Sequence, residues 1–93
     1  MTTAIIFHEV KNGDQWAEAW RKGKGSRHEM FAKLGIKART FRDPKNPDST
    51  GVILEIPDMP KFQAFMASDE ARKAMVDDGL KAETLRTLVE FTP

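Results

Sequence analysis

The sequence predicts an α+β protein: a ferredoxin-like βαββαβ sandwich, with an antiparallel sheet and helices on one of its faces. Three observations carry this. Apolar residues alternate with period two in several short stretches, other segments place them at helical spacing, and the two kinds occur in the order strand, helix, strand, strand, helix, strand. No internal repeat, linker or low-complexity segment divides the 93 residues, so residues 1–93 form a single domain, near the size at which one core is only marginally sufficient.

From Thr3 to Val10 the pattern is that of a strand, with Ile6, His8 and Val10 on one face and Ile5, Phe7 and Glu9 on the other. Asn12-Gly13 signals a turn and Asp14 is a good N-cap, after which Trp16 and Trp20 stand one helical turn apart. Gly23-Lys24-Gly25 interrupts this helix, since glycine costs about 1 kcal/mol relative to alanine in a helix interior. Ser26 restarts it, Glu29 completes a capping-box pattern, Met30, Phe31 and Leu34 supply an apolar stripe, and Gly35 ends it.

Ile36 to Asp43 alternates again and forms the second strand; Asp43-Pro44-Lys45-Asn46-Pro47-Asp48 reads as a loop, making a long hairpin with a strand over Gly51 to Ile56. Pro57 and Pro60 close that strand and Asp58 caps the next helical segment. Phe62, Phe65 and Met66, then Ala71, Ala74, Met75 and Asp78 after Ser68-Asp69, predict two helical pieces or one bent helix, which Gly79 stops. Leu80 to Glu83 is a connection and Thr84 to Thr92 the last strand.

The face carrying Val52, Leu54, Ile56, Leu85, Val89 and Ile36 is the more apolar and is expected to meet the helices. Ile53, Leu88 and Phe41 share the opposite face with Glu55, Arg39, Arg86 and Glu90, and no further layer remains to cover it. At about 25 cal/mol per Å² of apolar area, leaving it bare forfeits several kcal/mol in a small domain. A homodimer with its sheets packed face to face is expected, the other arrangement being a monomer with an open, half-polar sheet face.

A formal net charge of +1 gives no reason to expect nucleic acid or an anionic membrane, and hydrophobic and charged contents of 40% and 31% are those of a soluble globular chain. The apolar run Ala4 to Phe7 is too short for a signal peptide or a span, and the absence of cysteine excludes a disulfide framework and thiolate metal sites. A cytoplasmic protein is expected.

His8 lies mid-strand among apolar neighbours: facing the helices, it would be a general base or hydrogen-bond donor in a pocket, or else a buried structural histidine. Trp16 and Trp20 either roof that pocket and stack on an aromatic ligand or pack the core. Phe31, Phe62, Phe65 and Met66 complete the expected apolar lining. His28, beside Arg27, is expected to be exposed, and two histidines without cysteine or i, i+4 spacing argue against a metal. Arg21 to Arg27 is a basic loop that either gathers an anion or is a solvated lid. It lacks P-loop spacing. Arg42 and Asp43 are expected to fix the hairpin end rather than to catalyse.

The Asp14…Trp16…Trp20 helix, Asp43-Pro44…Asn46-Pro47, Glu55 near its strand end and Phe65-Met66-Ala67-Ser68-Asp69-Glu70 with Ala74-Met75 and Gly79 resemble the dimeric α/β-barrel proteins. More specifically, they resemble small proteins related to antibiotic biosynthesis monooxygenases. The resemblance covers nearly the whole chain through mainly structural motifs. It implies two ferredoxin-like subunits with sheets packed into a barrel, a ligand between sheet and helices in each, and no cofactor. The implied chemistry is oxygenation or isomerisation of a small aromatic compound, with His8 as base and Trp16 or Trp20 positioning the substrate. The family's quinone-forming members use tyrosine among Trp, Asn and Arg, and this chain has none; its haem-degrading members use a histidine on the second helical region, and residues 59–78 contain none. The alternative is a non-catalytic homodimeric binding or assembly module.

Overall fold

The computed structural model describes residues 1–93. Strands β1 (Thr2–Glu9), β2 (Lys37–Asp43), β3 (Asn46–Ile56) and β4 (Arg86–Val89) form one antiparallel sheet in the order β2-β3-β1-β4. Helices α1 (Gly13–Trp20) and α2 (Arg27–Ala32) come after β1, and α3 (Met59–Met66) and α4 (Asp69–Asp77) after β3. The expected α+β, ferredoxin-like order of elements is therefore present. None of the helices is long and apolar enough to cross a membrane.

Register decides which side chains meet the helices. Ala4 sits opposite Leu54 and Val89, and Ile6 opposite Val52 and Thr87, so these residues share a face. Ala4, Ile6, Val52, Leu54 and Ile56 are buried there with Ile36, Trp16, Trp20, Phe31 and Phe62. On the reverse face Arg39, Ile53, Ile5 and Leu88 form one row across the sheet, and Phe41, Gly51, Phe7 and Arg86 the next. This confirms which residues share the second face and assigns it Ile5 and Phe7.

The caps explain the helix boundaries. Asn12, not Asp14, caps α1: its side-chain oxygen accepts from the N–H groups of Asp14 and Gln15, which leaves the Asp14 carboxylate free to bind Arg42. Ser26 caps α2 as expected, but Glu29 reaches back to the N–H of Gly25, one residue earlier than in a capping box. Asp58 and Ser68 each cap a helix, so the region after β3 is two helices rather than one bent one. Gly79, at φ 72°, then turns the chain where a residue with a Cβ would be strained. Arg27 on α2 holds Asp78 at the end of α4 through three N–H···O contacts of 2.7–3.1 Å, a half-buried pair that the sequence did not announce.

Two strand predictions need correction. Residues 43–48 do not form an open loop: the turn is Pro44-Lys45, and β3 starts at Asn46. The pairing shifts between Arg42 and Asp43, so Pro47 falls in a bulge where its missing N–H costs no ladder bond. The last strand covers Arg86–Val89 rather than Thr84–Thr92, because Thr84 belongs to a 3-10 turn and its hydroxyl is held between Glu9 N–H and the Lys81 carbonyl. Leu85 and Val89 are not part of the core. α1 lies over β3 and α2 over β2, leaving these two at the uncovered β4 edge.

The bulge of β3 seats α1. The Asp48 carboxylate accepts from Gly13 N–H at 2.8 Å, and the Pro47 carbonyl accepts from Arg42 Nε at 2.8 Å. A Cβ on Gly13 would overlap the Pro47 carbonyl oxygen. Gly13→Ala is therefore expected to cost about 2 kcal/mol by overpacking against backbone, seen as a melting temperature lower by roughly 10 °C. An unchanged thermal transition would show that the α1–β3 junction is not tightly seated.

Candidate functional site

A polar row crosses the helix-facing side of the sheet beneath α1. Arg42 on β2 pairs with Thr50 on β3, and Thr50 with His8 on β1, so the three stand side by side at one end of an otherwise apolar surface. The Thr50 hydroxyl donates to the His8 backbone carbonyl at 2.9 Å. The His8 side chain is 6% exposed, and neither ring nitrogen has a hydrogen-bond partner in the protein. Trp16 packs edge-on against it, ring centroids 5.8 Å apart.

Burial lowers the His8 pKa from 6.5 to about 4. At pH 7 the ring is thus neutral, with one nitrogen a donor and the other an acceptor. Taking a proton from a phenol of pKa about 10 would be uphill by roughly 8 kcal/mol. The imidazole is better suited to orienting a hydroxyl or carbonyl group than to deprotonating it, unless a bound anion raises its pKa again.

From His8 the aromatic contacts continue through the core. Trp16 and Trp20 centroids are 6.1 Å apart, Trp20 stacks on Phe31 at 5.7 Å, and Phe31 meets Phe65 edge-on at 5.8 Å. Trp16 and Trp20 are 3% and 8% exposed. Phe62 is buried in the same core, and Phe65 and Met66 pack against it half-buried. The residues expected to line a pocket are therefore brought together, but the cavity among them, bordered by Phe31, Phe65 and Met66, has a volume of about 50 Å³. For comparison, a dry apolar cavity that holds benzene is about 150 Å³.

A larger hollow, about 320 Å³, lies outside the core between α1 and β2. Trp16, Ala17 and Trp20 form one wall, and Thr40, Phe41 and Arg42 the other, with Arg21 at the rim. Sequence reasoning missed it. The available signal was the period-two spacing of Thr40 and Arg42, which sends both to the face on which Trp16 and Trp20 lie. Arg42 does fix the hairpin end, through Pro47 and Asp14, yet it also lines this groove.

In the basic loop from Arg21 to Arg27, Arg27 is committed to Asp78, and Arg21 pairs with Glu18 at 2.7 Å on the surface. Gly23 and Gly25 have positive φ and shape the turn. His28 is half-buried rather than exposed, edge-on to Trp20 at 5.2 Å, and its pKa is lowered by burial and then by the charge of Lys22.

No protein-family model matches the chain, and no curated protein matches its sequence. Solved structures do match its fold. An antibiotic biosynthesis monooxygenase superposes with a TM-score of 0.73 at 15% identity, over 100% of this chain and 99% of the other. A mutant of SnoaB, a cofactor-independent oxygenase from Streptomyces nogalater, gives 0.65 at 14% identity, over 99% of this chain and 91% of that one. An ethyl tert-butyl ether (ethd) family protein from Bacillus halodurans gives 0.54 at 13% identity, over the full length of both. The chain thus has the fold of antibiotic biosynthesis monooxygenase structures along its whole length.

The buried imidazole has a pH signature. Its folded pKa of about 4 lies below its unfolded value of 6.5, so between these limits the unfolded chain binds the extra proton. The proton linkage of His8 therefore costs nothing above pH 6.5, becomes destabilising as pH falls, and reaches a limit below about pH 4 of roughly 3 kcal/mol. Denaturant unfolding of wild type and His8→Phe across this range is expected to give stability curves that diverge on acidification; parallel curves would mean that His8 is not desolvated.

Proposed function

We propose that this protein is a homodimer that binds a small aromatic compound between the helices and the sheet, with cofactor-independent oxygenation or isomerisation as its chemistry. The observation that carries the reading is His8: a neutral imidazole, buried beneath Trp16, with neither ring nitrogen hydrogen-bonded to another protein group. Buried polar groups are nearly always hydrogen-bonded, and a native exception is commonly tied to function or to a bound molecule. A phenolic or carbonyl oxygen placed against His8 would satisfy it while the aromatic body stacks on Trp16 and Trp20. The fold shared with a cofactor-independent oxygenase supports the same reading, although a fold alone does not determine chemistry.

Dimerisation is inferred from the reverse face of the sheet. Phe7, Phe41 and Leu88 are 46%, 48% and 45% exposed there, and Ile5 and Ile53 are half-buried between them. A second copy laid sheet to sheet would remove this apolar strip from water and pair Arg39 and Arg86 with Glu55 and Glu90 at its margins.

The second reading, a non-catalytic assembly module, is favoured by the close packing of both tryptophans and the small size of the adjoining cavity. The two differ in what His8 does. Intrinsic tryptophan fluorescence titrated with phenols and quinones reports from beside the site, since Trp16 and Trp20 are the only tryptophans. Saturable quenching by one compound class, weakened at least tenfold in a folded His8→Phe variant, is expected for the ligand-binding reading. Quenching that the variant leaves unchanged, or no quenching, favours assembly. Separately, light scattering is expected to give a dimer for wild type and a monomer for Ile53→Lys; a wild-type monomer would remove the sheet-to-sheet argument.

A further inference from the structure

The groove between α1 and β2 is distinct from the packed core, yet Trp16 belongs to both: one side of its indole meets His8, and another borders the groove. Its helix wall is aromatic, its volume of about 320 Å³ lies within the range of small-molecule sites, roughly 300–1,000 Å³, and its ionic groups have one sign. Arg42 and Arg21 line it, and no carboxylate does.

The arginines retain binding capacity. Of the five N–H donors of a guanidinium, Arg42 uses Nε on the Pro47 carbonyl and one Nη2 donor on Asp14. Its Nη1 group makes no hydrogen bond within the protein, and the side chain is 32% exposed. Arg21 is held only by Glu18, in an i, i+3 pair 75% and 64% exposed, an arrangement too weak to keep it from another anion. The Thr40 hydroxyl adds a further donor on the strand wall.

We infer that this groove takes an aromatic carboxylate, its ring system against Trp16 and Trp20 and its carboxylate received by Arg42 and Arg21. A planar fork on a carboxylate fixes orientation as well as affinity. The arrangement turns the ring toward Trp16, the side chain that separates the groove from His8. The inference rests on the reading of this chain as a binder of small aromatic compounds and gives that ligand its polar group.

The test is isothermal titration of the full chain with 2-naphthoate and with 2-naphthamide, its neutral counterpart. Binding of the acid at least tenfold tighter than the amide is expected, since a charge-assisted hydrogen bond is lost in the amide. Arg21→Gln, at an exposed position, should weaken the acid several-fold without changing thermal stability, and Arg42→Gln should weaken it more. Because Arg42 also holds the hairpin, Ala17→Phe provides a second route: the larger side chain fills the groove and should abolish binding of the acid. Equal affinity for acid and amide, or binding unaffected by Ala17→Phe, would overturn the inference. Should phenols bind in a His8-dependent way while naphthoate does not, the groove assignment fails and the proposed function stands. Failure of every aromatic compound to bind removes both.

Discussion

The seating of α1 on the β3 bulge is the constraint on which the rest depends. Gly13 N–H donates to the Asp48 carboxylate, and Arg42 ties the bulge to the helix by donating to both the Pro47 carbonyl and Asp14. Because α1 is short and carries both tryptophans, its starting point and tilt decide where two of the largest core side chains fall. Trp16 then covers His8, Trp20 stacks on Phe31, and the outer edge of the helix leaves a groove beside β2. A small set of polar contacts at one hairpin thus organises the apolar core and the candidate site together.

Much of the fold was legible because its signals are local. The alternation in β1 grouped His8 with Ile6 on one face, and Ser26, Asp58, Gly35 and Gly79 marked helix ends by chemistry that operates within a few residues. The features that escaped were set by distant partners. Asn12 rather than Asp14 caps α1, and the Asp14 carboxylate instead meets Arg42, far along the chain. Prolines at 44 and 47 read as a loop because local rules cannot anticipate a bulge stabilised from both neighbouring strands. Leu85 and Val89 alternate correctly but sit at the sheet edge beyond the helices, and alternation gives a face, not a position across the sheet.

The candidate site shows the same division. The spacing of Trp16 and Trp20 announced an aromatic cluster, and the structure joins it to His8, Phe31 and Phe65. Whether a cluster encloses space or fills it depends on how closely the layers approach, a property of the whole packing. The groove arose at the border of two elements widely separated in sequence, from residues that each had another evident purpose: Arg42 as a hairpin clasp, Thr40 as a strand residue, Ala17 as a spacer on a helix. A site assembled from such residues leaves little trace in any single segment.

The tryptophan pair has an optical consequence. Indole rings whose centroids are 6.1 Å apart and whose planes are inclined at 45° have transition dipoles close enough to couple and oriented for chiral mixing of their excited states. The near-ultraviolet circular dichroism of this protein should therefore contain an exciton contribution that belongs to neither indole alone. Excitation absorbed by one ring can also pass to the other, and Trp20 has His28 edge-on against it. The two chromophores act as one reporter, sensitive to a small rotation of either ring before any backbone element has moved.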